Sequence, residues 1–162
     1  MIFAAVGTQM PFDRLVKALD KWAAANPDVT VVAQTGETQF VPEALECHAF
    51  LAPEKFAACQ MNAEVIVSHA GMGAILSAGM LGKPLIMMPR RHALGEHRND
   101  HQMATARRFE GRPGIHVAWD EGALAALLDR RRDLAAAPEL SHHASPELLS
   151  AIDDFIAGRG SA

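Results

Sequence analysis

Cysteine is nearly absent: Cys47 and Cys59 are the only two in 162 residues. With no Cys-x-x-Cys pair and no signal-peptide pattern, neither a disulfide framework nor a secreted setting is expected, and the expected compartment is the cytoplasm. Long apolar runs are missing as well. None reaches the roughly 18 residues of a membrane span, so any membrane association is expected to come from a partner or a surface face. Positive charge is not in excess. A formal net charge of −4 leaves no electrostatic footprint for nucleic acid, although six arginines between Arg90 and Arg112 make a local cationic region. There is no internal repeat and no long low-complexity segment. The dinucleotide fingerprint G-x-G-x-x-G is also missing, because Ile75 and Leu76 stand where its third glycine would fall, and NAD is not expected.

What is present is enough for one core. Hydrophobic residues make up 49% of the chain, which at this length fits a single domain over residues 1–162 and not two substantial ones. The apolar run IFAAV (2–6) reads as a strand buried on both faces, ending at Gly7-Thr8-Gln9. After Pro11, Phe12, Leu15, Val16, Leu19 and Trp22 recur at helical spacing until Pro27. VTVVAQ and HAFL read as further strands, 53–61 as an alanine-rich helix, and 64–68 as the next strand. A helix over 74–81 with Gly82 as its stop, a strand at 85–88, a helix near 99–109 and the strand IHVAW continue the alternation. Asp120 reads as the N-cap of a helix through Leu128, and Ser145-Pro146 as the start of a last helix to Ile156.

Strands alternating with helices predict an α/β fold, a doubly wound, mostly parallel, Rossmann-like sheet with ligands beyond the carboxyl ends of its strands. Gly7-Thr8-Gln9, His69 to Gly73 and Arg90 to Gln102 all follow strands directly, so one ligand at one edge is expected to meet all three. Gly71 and Gly73 bracket Met72 at a strand-to-helix turn. The bland reading is a tight turn needing positive φ or close packing; the chemical one is a cradle of amides for a diphosphate, with the positive end of the helix dipole aimed at it. Arg90 and Arg91 have the geometry to neutralise phosphate, or one of them is a solvated loop residue. His92, His97 and His101 suggest zinc, but no third ligand stands at a familiar spacing such as H-E-x-x-H, and no metal site is expected. Glu96 is open between a surface charge, a sugar ligand and a base. Met72, Met80, Met87 and Met88 are read as core and turn filler.

The segment VIVSHAGMGAILSAGMLGKPLIMMP, with His69, Gly71, Gly82, Pro84, Pro89 and His101-Gln102, resembles the donor half of GT-B glycosyltransferases. GTQMPFDRL and PRRHALGEHRNDHQ are similar to small exopolysaccharide subunits of that group, so the resemblance covers nearly the whole chain. It implies a fold equivalent to the C-terminal GT-B half and a UDP-sugar-dependent hexosyltransferase subunit without a cofactor. It implies that His69 and the amides of Gly71, Met72 and Gly73 hold the diphosphate with Gly7 and Thr8 closing its other side, that the backbone at Leu51 and Ala52 reads the uracil edge, and that Gln102 binds the sugar, with His97, Asp100 and His101 beside it; Arg90 is expected at the diphosphate on its guanidinium chemistry alone. Ser77 stands where many relatives have a ribose-binding glutamate, and Asp-x-Asp, the metal-holding motif of the other major glycosyltransferase fold, is absent. The acceptor face and its base are expected on a membrane-associated partner subunit carrying a polyprenyl-diphosphate-linked saccharide, with His69 or Glu96 as the base within this chain. The partner surface is expected at Arg98, Arg107 and Arg108 or at Leu148, Leu149, Ile152 and Phe155. A non-catalytic nucleotide-sugar module, a zinc-dependent hydrolase and a homodimer supplying its own acceptor half are the alternatives.

Overall fold

The computed structural model describes residues 1–138 and 146–156, without the side chains of Pro146, Leu148, Leu149, Ile152 and Phe155. The order is β1 (Ile2–Ala5), α1 (Asp13–Ala25), β2 (Val31–Gln34), β3 (Glu46–His48), α2 (Pro53–Asn62), β4 (Val65–His69), α3 (Met72–Met80), β5 (Leu85–Met88), α4 (His101–Phe109), β6 (Ile115–Val117), α5 (Glu121–Asp129) and α6 (Pro146–Ile156). The last helix matches the expected one, while Ser145 and the side chains of Leu148, Leu149, Ile152 and Phe155 lie outside the described residues.

The strands form one parallel sheet in the order β3-β2-β1-β4-β5-β6. This is the doubly wound arrangement the alternation predicts: strands are added outward from β1 in one direction through β3 and in the other from β4, so the winding reverses between β1 and β4. The four central strands, β2, β1, β4 and β5, bury both faces, whereas the edge strands β3 and β6 are only partly covered. Ile2, Ala4, Val65, Val67, Ile86 and Met88 point to a layer with α1 and α5, whereas Phe3, Ile66, Leu85 and Met87 point to one with α2, α3 and α4. The predicted stripe of α1 is its buried face: Leu15, Val16, Leu19, Trp22 and Ala23 pack inward. Asp120 caps α5 by accepting the Ala123 N–H at 2.7 Å. Gly82, at φ +58°, closes α3 with paired bonds, its own N–H to Gly79 and that of Lys83 to Ala78, a Schellman ending.

Three expectations need correction. The third strand lies earlier, at Glu46–His48, because the Leu51 N–H is taken by the Gln34 side chain (2.9 Å) and Pro53 opens α2. Helix α3 begins at Met72, two residues early, with Gly71 as its N-cap. Met87 and Met88 are core residues, but Met72 and Met80 are exposed on the outer side of α3. Among the described residues no helix is long and apolar enough to cross a membrane.

Candidate functional site

The register pairs Ala5 with Ser68, so β1 and β4 end level and their following turns face each other at the switch point. The fixed point there is His69. Ser68 Oγ donates to the Ala5 carbonyl at 2.6 Å, so its oxygen accepts from His69 Nδ1 at 3.2 Å. The neutral ring therefore carries its proton on Nδ1 and a lone pair on Nε2. The ring lies between two glycines. A Cβ at Gly7 would come within 2.9 Å of Cε1, and one at Gly71 would sit against Nε2 and 3.0 Å from Cδ2. Burial, then the nearby Arg90 guanidinium, pushes His69 down to about 4, against a hydrogen bond to the Ala5 carbonyl. At neutral pH it is uncharged and a weak base.

Beside it opens the start of α3. Gly71 is the N-cap at φ −108°, so its glycine serves the histidine contact and not a left-handed turn. The first helical N–H groups, at Met72, Gly73 and Ala74, precede the first intrahelical bond, from Ile75 to Gly71, and no side chain caps them. Nothing lies within 4 Å of where a Cβ on Gly73 would be. This open helix start, with positive partial charge, is suited to an anion.

Arg90 has a different place from the one expected. It is 2% exposed, and Nη1 donates to the carbonyls of Pro11 (2.5 Å) and Glu96 (3.2 Å) while Nη2 donates to Val6 (2.7 Å) and Met10 (2.6 Å). Its plane lies over Phe12, 4.6 Å from the ring centroid. The guanidinium therefore fixes the 6–11 loop, and its donors to those carbonyls are not free for a phosphate; it contributes charge from behind. Burial lowers it to about 10, opposed by Glu96, so it stays protonated at neutral pH. Arg91 turns away, donating to the Trp119 carbonyl.

Glu96 is not placed to act as a base or sugar ligand. Its carboxylate takes Arg14 through both oxygens (2.6 and 2.9 Å) and also accepts the Arg91 N–H at 2.8 Å. Asp100 is likewise spent on structure, accepting the His92 N–H at 2.9 Å, and it does not line the cavity. Leu51 gives up its N–H to Gln34 and the Ala52 carbonyl accepts Phe56, so the backbone expected to read a base edge retains the Leu51 carbonyl and the Ala52 N–H.

The remaining residues converge. A cavity of about 300 Å³ is lined by the 6–10 loop together with His69, Gly71, Arg90, His97, His101 and Gln102. Gln102 is buried and its Oε1 accepts the Arg90 N–H at 3.1 Å, which leaves its amide N–H₂ for the cavity. His97 and His101 meet edge to face at 4.4 Å. The Arg98 N–H bonds His97 Nδ1, leaving an Nε2 donor, whereas His101 Nδ1 donates to Asn99, leaving an Nε2 acceptor. Partial burial, then His101, Arg90 and Arg98, lowers His97. Across His69 lies a narrower slot of about 160 Å³ that shares Gly7, Thr8 and His69 with the cavity and carries Gln34, Gln60 and Ser77. The sequence assigns no role to Gln34, Ser68 or Arg14, because their partners at Leu51, Ala5 and Glu96 are distant in the chain and meet them only in the fold. Among the described residues no group of three or more His, Cys, Asp or Glu side chains is gathered to hold a metal ion.

A doubly wound parallel sheet with its site at the switch point defines a Rossmann-like α/β domain, and comparison with known proteins gives the family. Residues 1–113 match the model of the glycosyltransferase family 28 C-terminal domain, and the chain belongs to that family. No curated protein sequence matches. The fold is shared with the solution structure of ALG13 at 19% identity and a TM-score of 0.59, over 88% of this chain and 90% of that one. It is also shared with Acinetobacter baumannii MurG at 18% identity and 0.58, over 98% and 49%. A kitacinnamycin glycotransferase gives 22% and 0.57 over 82% of this chain, which spans only 35% of that enzyme's length.

Proposed function

We propose that residues 1–162 form a single donor-binding domain, the catalytic subunit of a transferase that moves a sugar from a UDP-sugar to a polyprenyl-diphosphate-linked saccharide. The observation that carries this reading is the juxtaposition at the β1–β4 switch point: His69, Gly71 and the free Gln102 amide line one cavity, and the uncapped start of α3 opens at Gly73 and Ala74 on the slot that adjoins it across His69. The diphosphate lies on the amides of Met72, Gly73 and Ala74, with Thr8 closing the other side and Arg90 supplying charge from behind. The sugar extends toward His97, His101 and Gln102, and the nucleoside toward the slot holding Ser77.

In the transfer, the acceptor oxygen forms a bond to the anomeric carbon as the bond from that carbon to the diphosphate breaks. Negative charge grows on the departing diphosphate, where amides and dipole are already oriented, so little reorganisation is needed. The acceptor proton must go to a base. His69, pushed to about 4, is poorly matched to that task near pH 7, and Glu96 is bound to Arg14. That inventory supports a base supplied by a membrane-associated acceptor subunit, which would recruit this chain to the cytoplasmic face of the membrane. Co-expression with such a subunit, followed by transfer of labelled sugar to a lipid-linked acceptor, tests the reading. Turnover is expected only with both chains present; robust turnover by the isolated chain contradicts it.

A further inference from the structure

Helix α3 turns an apolar ridge outward. Met72, Leu76 and Met80 recur every fourth residue on one face, and are 49%, 49% and 41% exposed. Met61 on α2, 61% exposed, extends the ridge across the neighbouring groove that it lines with Met80. On the other flank a groove of about 390 Å³ runs along α3, walled by Met72, Leu76, Phe109 and Ile115 and bordered by Arg108 and Arg112. No carboxylate lies on either α3 or α4. The last turn of α4 instead adds Arg107 to Arg108, and among the described residues no ion pair engages Arg107, Arg108 or Arg112.

We propose that this face binds an anionic lipid bilayer, with Met72, Leu76, Met80 and Met61 entering the headgroup–acyl boundary while the arginines meet lipid phosphates. Charge decides the occupant. An apolar protein surface would desolvate guanidinium groups without a counter-charge, whereas a plane of phosphates pairs Arg108 and Arg112 together. Unbranched methionines fit a fluid boundary because they adapt to it. The chain as a whole carries a net charge of −4 and is repelled by such a surface, so attraction must come from this local patch, and the patch fixes the orientation. The N-terminal end of α3 lies at the carboxyl edge of the sheet, which brings the cavity mouth beside the bilayer. None of this depends on what the cavity binds.

The test is flotation of the full chain, without nucleotide, with vesicles of phosphatidylcholine alone or mixed with phosphatidylglycerol. The chain is expected to float with the mixed vesicles only and to be released by salt. Arg108→Glu with Arg112→Glu should weaken binding by more than about tenfold, since each basic residue near an anionic surface is worth roughly fivefold. Leu76→Asp should abolish flotation, with circular dichroism and thermal unfolding unchanged in both variants. Absence of flotation with the mixed vesicles overturns the proposal, as does equal flotation of both variants and the parent chain. A chain that sediments as a dimer through this face and ignores vesicles also overturns it.

Discussion

Gly71 is a glycine because of His69: a side chain at residue 71 would occupy the space beside the imidazole Nε2. The backbone there, at φ −108°, would accept an alanine. Gly71→Ala is therefore expected to displace the ring without unfolding the domain. The expected outcome is a modest change in Tm with at least tenfold weaker UDP binding by calorimetry. Unchanged affinity would show that the ring position does not matter to the ligand.

His69 makes stability depend on pH. Its folded value of about 4 lies below the ordinary 6.5, so the unfolded chain binds the proton more readily. Stability is fully present above about pH 6.5 and is lost as pH falls toward 4. The loss should be about 2 kcal/mol between pH 7 and pH 5. Partly buried His97 acts with the same sign, so the quantity to read is the difference between the parent chain and His69→Gln in denaturant titrations at both pH values. Parallel pH profiles would contradict the buried neutral histidine.

Arg90 holds the loop that roofs the cavity. Arg90→Met removes the partner of four carbonyls while keeping much of the side-chain volume, and should cost about 3–5 kcal/mol of stability. UDP affinity should fall with it, because Thr8 lies in the released loop. A variant as stable as the parent chain in urea would refute the clamp.

Gln102 is expected to separate sugar from nucleotide. Gln102→Ala should weaken binding of the UDP-sugar about tenfold or less, the worth of roughly one hydrogen bond, and leave UDP nearly unchanged. His69→Ala should weaken both. Equal losses for UDP and UDP-sugar in Gln102→Ala would remove this residue from the sugar site.

The sheet and its edge were legible because each rests on local pattern: both-face-buried strands such as IFAAV, the capped starts and stops at Asp120 and Gly82, and polar turns following strands. The roles of Arg90 and Glu96 were not. A charged residue after a strand looks the same in sequence whether it faces a ligand or, like Arg90, binds carbonyls from the loop after β1. Glu96 finds its partner Arg14 in α1, 82 residues away, a contact only the tertiary fold creates. Met72 and Met80 misled for the opposite reason, since methionine serves a core and an exposed face equally well.

The most direct test of the donor-site account is an amide NMR titration of the chain with UDP in the presence of a metal chelator. The largest shifts are expected at Gly7, Thr8 and residues 71–74, with the same affinity whether or not the chelator is present. Shifts centred elsewhere, or binding that vanishes on chelation, would contradict it.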